Sequence, residues 1–345
     1  MSDPRDESGL SGVILGQPRR LTSSQVALAA GVQMHRARRF WRAMGFANVA
    51  DDDVEFTDAD VAALKRFLCL VDDEILDEEQ AIALARLLGR ATSRLATSNA
   101  EALGHALDAC GAVDGQRVSA ARRLVDRTLP ELEALLVYSW YRHLAVAMER
   151  LQPEVRSTRT SMATVGFADL VGFTRLSRQL SDRDLVALVN RFEGGIGDIV
   201  TGSGGRLVKS IGDEVLFVAD KPEIGANIAL EIAERISRRP VPGIRVGLEF
   251  GDLITHAGDV FGDTVNLASR LTALSEPNQV LVGPRVATEL ATHRQYQLTE
   301  LAPMQVRGFP PLSPSVLSRG RSMAAGQTLN THRIADSSHG GLAEE

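Results

Sequence analysis

The sequence has few of the features that mark membrane-spanning, secreted or disulfide-bonded proteins. It contains two cysteines, Cys69 and Cys110, without the spacing of metal ligands. We expect both to be buried small side chains in apolar helices, with no redox or metal chemistry. No run approaches the roughly 18 to 20 apolar residues that a membrane span needs, and the acidic start MSDPRDESGL lacks the order of a secretory signal. These absences predict a cytoplasmic protein without a membrane span.

An excess of basic residues is also missing. The formal net charge is −6, whereas a domain that covers nucleic-acid phosphates is usually basic, so the charge argues against a nucleic-acid partner. Apolar residues make up 44% and charged residues 24% of the chain, which is typical of globular proteins. A length of 345 residues favours two domains.

The first half of the chain has the pattern of an all-α domain. Apolar residues recur at helical spacing, and strand patterns are scarce. We assign residues 1–20 to an N-terminal tail, 21–152 to an α-helical domain and the polar segment 153–161 to a linker. The last helix, 130–151, is expected to turn an apolar face toward a partner. The predicted helices are 22–30, 34–44, 57–71 and 130–151.

The second half alternates strand and helix patterns. Their order is strand, helix, hairpin, helix, strand, which is the ferredoxin-like βαββαβ plan with additions. We therefore predict an α/β (α+β) domain with an antiparallel sheet over 162–316, followed by a disordered tail at 317–345. The predicted strands are 162–168, 206–211, 214–219, 244–250 and 279–282, and the predicted helices are 181–200, 224–238 and 263–274.

Two carboxylates stand at strand ends in this second domain. Asp169 follows the first strand, and Asp213 lies at the tip of the hairpin. The first strand and the hairpin are neighbours in the predicted fold, so both carboxylates are expected to point to one place. Adjacent carboxylates repel each other unless a cation lies between them, and such hard oxygen ligands suit Mg²⁺ or Mn²⁺. The glycine-containing turn after Asp169 offers backbone N–H groups to phosphate oxygens.

Three stretches, taken together, resemble the class III nucleotide cyclases. They are FADLVGFT (167–174), KSIGDEV (209–215) and GDVFGDTVNLASR (258–270), in the family's order within residues 162–311. The resemblance implies an adenylate cyclase that converts ATP into cyclic AMP and pyrophosphate. It implies that Asp169 and Asp213 hold two Mg²⁺ or Mn²⁺ ions.

The resemblance also assigns the nucleotide contacts. Lys209 would donate to adenine N1 and Asp259 would accept from the N6 amino group; guanine presents the opposite polarity at these atoms, so the pair favours ATP. Asn266 would orient the ribose, and Arg270, one turn later, would stabilise charge on the α-phosphate. Contacts to the triphosphate are implied for Gly172, Phe173, Thr174 and Arg307.

The family implies a homodimer with two shared sites, in which one subunit supplies the metal carboxylates and its partner the base-reading pair, the Asn and the Arg. The start of the helical domain is similar to a MerR-type winged helix and to the autoinhibitory domain of actinobacterial, including mycobacterial, cyclases. The resemblance suggests a proton or a lipid as the effector of this domain. His35, His105 and His143 are candidate pH sensors, although each also fits an ordinary packing role.

Other functions remain open from the sequence. Taken singly, each site residue also fits a solvated helix face, a strand-edge charge, a turn or a cap. A diguanylate cyclase would share the acidic hairpin, but the reading IGDEV and the later Asn and Arg differ from that family. A transcription regulator with an inactive, nucleotide-sensing cyclase domain is the second alternative, because Arg36, Arg38, Arg39 and Arg42 cluster on one predicted helix.

Overall fold

A computed structural model describes residues 9–46, 49–111, 116–149, 160–236 and 243–320. The chain divides into two compact units, and the division falls between Arg156 and Ser157, within the segment predicted as a linker. The linker residues before 160 and the C-terminal residues after 320 lie outside the described part of the chain.

The first unit is helical. Its helices are α1 (Gly9–Leu15), α2 (Ser23–Ala30), α3 (Met34–Met44), α4 (Asp58–Asp72), α5 (Glu78–Ala109) and α6 (Arg117–Glu149). Helix α1 lies within the segment predicted as a tail, so that part of the prediction is wrong. Helix α6 begins well before the predicted start and contains Pro130 in its interior.

Local signals explain where the short helices begin and end. Thr22 caps α2 through a reciprocal pair of hydrogen bonds with Gln25, and Gly31 ends it in the left-handed conformation, with φ of 73°. The core of this region contains two aromatic pairs, Phe40 with Phe67 and Trp41 with Phe56, each with ring centroids 4.7 Å apart. A single β-bridge joins Leu21 to Phe56. The arrangement keeps α2, α3 and α4 together as one packed group.

The two halves of α6 differ in burial. Val125 in the first half is buried, whereas every residue from Glu133 to Glu149 is exposed within the described unit. The exposed side chains include Leu135, Tyr141 and Met148, which are 61%, 60% and 56% exposed. The apolar face predicted for this helix is therefore present and uncovered by the described residues of its own unit.

The second unit is a mixed sheet covered by helices. Its elements are β1 (Thr160–Leu170), α7 (Phe173–Ser177), α8 (Asp182–Gly202), β2 (Arg206–Ile211), β3 (Glu214–Ala219), α9 (Pro222–Ile236), β4 (Ile244–His256), β5 (Asp259–Phe261), α10 (Asp263–Leu274), β6 (Val280–Val282), α11 (Pro284–Leu290), β7 (Tyr296–Glu300) and β8 (Ser315–Arg319). The strand order is β2-β3-β1-β4-β6-β8-β7, with β5 paired to β4. The first four strands have the ferredoxin-like order.

Two separate apolar clusters cover the two faces of the sheet. Helices α8 and α9 bury the larger cluster, which includes Phe192, Phe217 and Ile232. Helix α10 lies on the other face, over Val165 and Phe167. At Gly247 of β4 the approach is so close that an added Cβ would lie 2.3 Å from the backbone nitrogen of Thr272 in α10. Glycine at this position therefore sets the height of α10 above the sheet.

Several predictions about this unit need correction. The sheet is not wholly antiparallel, because β4 and β6 are parallel. Strand β4 runs on to His256, and β5, α11, β7 and β8 were not predicted. Strand β8 continues to Arg319, so the first residues assigned to a disordered tail are ordered in the sheet.

In the first unit, Cys69 and Cys110 are both exposed, so the prediction of buried cysteines is wrong. Among the described residues, no helix is long and apolar enough to cross a membrane.

Candidate active site

The two predicted metal carboxylates meet where β1 leaves the sheet beside the β2–β3 hairpin. Asp169 pairs in register with Glu214 of β3, and the amide of Leu170 donates to the carbonyl of Asp213 at 3.1 Å. Burial raises the pKa of Asp169, and the neighbouring Asp213 adds to that rise. The structure thus brings together the carboxylates that the sequence placed at two separate strand ends.

A cation that the sequence reasoning missed lies beside them. Arg245 of β4 pairs in register with Asp169, and its guanidinium donates to the Asp169 carboxylate. Arg245 opposes the rise in the pKa of Asp169 but does not cancel it. Glu214 adds a third carboxyl group: burial raises its pKa, and Asp169 and Asp213 raise it further. Arg245 and Lys209 only partly offset the three carboxyl groups, because the pKa values of Asp169 and Glu214 are raised overall.

The donors at this site are the hard oxygen atoms that Mg²⁺ and Mn²⁺ prefer. No group of three or more side chains arranged to hold a metal occurs among the described residues. Asp169 and Asp213 would therefore supply only part of a coordination shell. Magnesium usually keeps waters and takes phosphate oxygens alongside one or two carboxylates, so the residues present fit an ion that arrives with a nucleotide.

The predicted base-reading pair is assembled within one chain. Lys209 Nζ lies 2.5 Å from Asp259 Oδ2, and the backbone amide of Val260 donates to Asp259 Oδ1 at 2.8 Å. Burial alone would raise the pKa of Asp259, but the hydrogen bond from Lys209 and the Val260 amide lower it overall. Asp259 is thus held as an acceptor and Lys209 as a donor, side by side. A tight turn containing Ala257 and Gly258, both with positive φ, places Asp259 at the start of β5.

Asn266 and Arg270 both project from α10 and are exposed. They are four residues apart, so they share one face of the helix. Neither side chain has a hydrogen-bond or ion-pair partner within the part of the chain that the structure describes. Arg307 is likewise exposed and without an ion pair there. The single chain does not bring these three side chains into contact with Asp169 or Asp213.

The turn after β1 leads from the Asp169 carboxylate into α7. Gly172 adopts φ of 72° and precedes α7, and Phe173 packs against the larger core cluster while Thr174 is exposed. The first amide groups of a helix have no partner within it. Phe173 therefore anchors the turn, and its backbone remains beside the carboxylate site.

The basic residues of α3 are largely neutralised within the first unit. Arg38 lies 2.5 Å from Asp51, Arg39 is 3.2 Å from Glu78 and pairs with Glu79, and Arg36 is 3.6 Å from Glu78. The contacts of Arg36 and Arg39 hold α3 against the start of α5. They weaken the hypothesis that this helix binds nucleic-acid phosphates.

Family models match both units. Residues 155–318 match the adenylate and guanylate cyclase catalytic domain, and residues 11–144 match the adenylate cyclase regulatory domain. The regulatory match begins within the segment predicted as an N-terminal tail, in agreement with the position of α1.

Similar proteins share both parts of the chain. An adenylate cyclase of Streptomyces coelicolor is 43% identical over 299 residues, covering 85% of this chain and 77% of that protein. One of Glutamicibacter nicotianae is 39% identical, covering 89% and 81%. A pH-sensitive adenylate cyclase of Mycobacterium tuberculosis is 28% identical, covering 84% and 75%. With this coverage, and with both family models in place, the chain belongs to the class III adenylate cyclases and is an enzyme of that family.

Proposed function

We propose that the protein converts ATP into 3′,5′-cyclic AMP and pyrophosphate by in-line attack of the ribose 3′-hydroxyl on the α-phosphate, under control of its N-terminal domain. The observation that carries this proposal is the Lys209–Asp259 pair, held at 2.5 Å on the unit that also contains the Asp169 and Asp213 carboxylates. A donor and an acceptor side by side match the N1 and N6 edge of adenine.

The same pair accounts for the choice of base. Adenine accepts at N1 and donates at N6, whereas guanine donates at N1 and accepts at O6. Guanine would place its N1–H donor opposite the Lys209 donor and its O6 acceptor opposite the Asp259 acceptor. A buried polar group without its partner costs about 1–3 kcal/mol, which corresponds to about 5-fold to 150-fold in preference for ATP.

Asp169 and Asp213 would hold the divalent ions that class III cyclases use, here two Mg²⁺ or Mn²⁺. When bound, the ions lower the pKa of the attacking hydroxyl and neutralise the pyrophosphate leaving group. Arg245 already neutralises part of the Asp169 charge. Arg245 would also serve as a donor to phosphate oxygens, to which a guanidinium can donate two parallel hydrogen bonds.

Asn266 and Arg270 supply the remaining contacts in this proposal. Asn266 orients the ribose, and Arg270 stabilises the charge that builds on the α-phosphate. Loss of one such donor typically lowers the rate by about 100-fold to 1000-fold. Arg307 and the backbone of Gly172, Phe173 and Thr174 bind the terminal phosphates.

The separation of these groups supports a homodimer with two shared sites. Within one chain, the partners of Lys209 and Asp169 are Asp259 and Arg245, while Asn266 and Arg270 face solvent. A symmetric pair of chains places the α10 side chains of one opposite the carboxylates of the other, twice. The exposed apolar end of α6 gives such a dimer a second surface to bury.

The test is a cyclase assay with full-length protein, Mn²⁺, and ATP or GTP. We expect cyclic AMP from ATP, loss of product in Asp213→Asn, and normal rates in Asp198→Asn, which changes an exposed carboxylate on α8. Asp213→Asn and Arg270→Ala, inactive separately, should recover about a quarter of the wild-type rate after mixing at equal amounts, because half of the dimers then contain one intact site.

Absence of cyclic AMP from a folded wild-type dimer would refute the enzymatic proposal. ATP binding without turnover would instead favour the nucleotide-sensing regulator. No recovery on mixing two stable, exchanging variants would contradict the shared site while leaving the chemistry intact. A proton or a lipid as effector of the N-terminal domain is tested by comparing rates across pH 5.5–8 and with added fatty acid.

A further inference from the structure

A cavity of about 510 Å³ opens beside the start of α10. Its walls come from β4, the end of β5, the start of α10, the start of α11 and the segment between β7 and β8. None of the residues assigned above to the metals, the base, the ribose or the phosphates lines it. Its apolar lining includes Phe250, Phe261, Leu267, Phe309 and Leu312. A cavity of this size accommodates a small organic molecule.

Charged groups at this cavity are mostly of one sign. Three carboxyl groups line it, from Glu249 on β4, Asp252 on β4 and Asp263 on α10, against the single guanidinium of Arg285 on α11. Glu249 is only 3% exposed, whereas Asp252 and Asp263 are exposed. An anion entering this space would meet net repulsion, and a cation would be attracted.

Glu249 occupies a position that the backbone shapes around its carboxyl group. The amide of Phe250 donates to Glu249 Oε1 at 2.7 Å, and the amides of Arg285 and Val286 also donate to this carboxyl group. A Cβ at Gly283 would lie 1.8 Å from Glu249 Oε2. The absence of a side chain at residue 283 therefore makes room for a buried acid at the wall of a solvent-connected cavity.

We propose that this cavity binds a small organic cation, an amine whose ammonium group faces Glu249 and whose apolar body packs between Phe261 and Phe309. The ligand class follows from the combination of aromatic walls and excess carboxylate. The site is separate from the nucleotide site, and binding there does not depend on cyclase activity.

The affinity of this site for an amine should depend on pH. Burial raises the pKa of Glu249, and the backbone amides and Arg285 only partly offset that rise, so the pKa is about 7 instead of 4.5. A bound ammonium favours the ionised form, so affinity should rise about tenfold from pH 6 to pH 8. The charged groups that line the cavity with Glu249 are Arg285 from α11, Asp252 from its own strand and Asp263 from α10, and Arg285 acts on it directly. The β1 residue in register with Glu249 is the apolar Val165.

The position of the site also connects it to α10. Leu267 lines the cavity and is the residue next to Asn266. A ligand that packs against Leu267 contacts the helix that carries Asn266 and Arg270. A change in turnover on amine binding would be a consequence of this contact, and it rests on the proposed function, whereas the binding itself does not.

The experiment is titration calorimetry on full-length protein with three matched probes: tryptamine, tryptophol and indole-3-acetate. They share an indole and differ in charge, being cationic, neutral and anionic. We expect binding of tryptamine, at least about tenfold weaker binding of tryptophol and none of indole-3-acetate. Tryptamine affinity should strengthen from pH 6 to pH 8, because the amine stays protonated while Glu249 ionises.

Two variants locate the site, and a third variant serves as the control. Glu249→Gln should reduce tryptamine affinity to the level of tryptophol and remove the pH dependence, and Leu312→Trp should block all binding by filling the cavity. Glu300→Gln, an exposed acid on β7, should change nothing. Equal affinities for tryptamine and tryptophol, no measurable tryptamine binding, or full affinity in Leu312→Trp would each overturn the proposal. Should Glu249→Gln fail to fold, the probe series and Leu312→Trp still decide the matter.

Discussion

Replacing Gly247 by alanine should displace α10 while leaving the side chains on that helix unchanged. The added Cβ would lie 2.3 Å from the Thr272 nitrogen and 2.6 Å from the Ala268 carbonyl oxygen, whereas ordinary contact begins near 3.4 Å. Both obstructing atoms belong to the α10 backbone and cannot rotate away. The helix must therefore move from the sheet by about 1 Å, because protein interiors are close-packed and have no free volume to absorb the methyl group.

The expected effects of Gly247→Ala follow from that displacement. Overpacking of this kind costs about 1–3 kcal/mol of stability. Because Asn266 and Arg270 move with the helix, kcat for cyclic AMP should fall by about 100-fold, which is a typical loss for a 1 Å misplacement. The change should appear in kcat more than in KM, since Arg270 acts on charge that develops in the transition state.

The assay is initial rate against ATP concentration, at a temperature where circular dichroism shows the variant to be folded. Gly194→Ala on α8 is the matched control, because a Cβ there meets nothing within 4 Å. It should raise stability by about 0.5–1 kcal/mol and leave kcat unchanged. A folded Gly247→Ala enzyme with kcat within about twofold of wild type would refute the idea that this contact positions the catalytic helix.

Further predictions concern the base, a buried acid and a helix cap. Asp259→Asn should lower kcat/KM for ATP by about 10-fold to 100-fold while raising the ratio of GTP to ATP turnover, because the amide can present a donor to guanine O6; paired assays with both nucleotides check this. The pKa of Glu249 is about 7 in the folded state against 4.5 ordinarily, so between these pH values the folded state binds a proton that the unfolded state has lost, and the free energy of unfolding declines as the pH rises. Glu249→Gln should remove that decline and stabilise the ligand-free protein at pH 8 by up to about 3 kcal/mol. Urea unfolding measures the difference. Thr57→Ala removes the Oγ1 hydrogen bond to Asp60, 2.8 Å long, and should destabilise the first unit by about 1 kcal/mol in thermal melts.

Elements with strong local signals were predicted well. The hairpin strands 206–211 and 214–219 and the helices 34–44 and 263–274 have the predicted bounds, because Gly212-Asp213 at the hairpin and the spacing of apolar residues are local properties. Nine of the ten proposed site residues lie in the three motif stretches, and Arg307 was assigned from the later segment that resembles the family. Of these, the structure brings Asp169 close to Asp213 and Lys209 close to Asp259; the roles of all ten remain proposals.

Features that depend on register and tertiary packing were missed. Arg245 reaches Asp169 because β4 pairs with β1 in one particular register, and nothing local in the sequence specifies that pairing. Glu249 stands in an apolar strand, where only its position against Gly283 and α11 makes an acid acceptable. Cys69 and Cys110 were placed in the core by their apolar neighbours, yet both are exposed, Cys69 on α4 and Cys110 directly after α5.

Pro130 has a mechanical consequence for the whole chain. Proline lacks an amide hydrogen and its ring presses on the preceding turn, so α6 loses a backbone hydrogen bond at that point and bends there more easily than elsewhere. The residues before it include buried Val125, while those from 133 to 149 are exposed. The only covalent route from the regulatory unit to the catalytic unit runs through this second half. A displacement that is transmitted along the backbone from the residues before Pro130 must therefore pass through the point where α6 bends most easily. Pro130→Ala would restore the missing hydrogen bond and make the helix stiffer there.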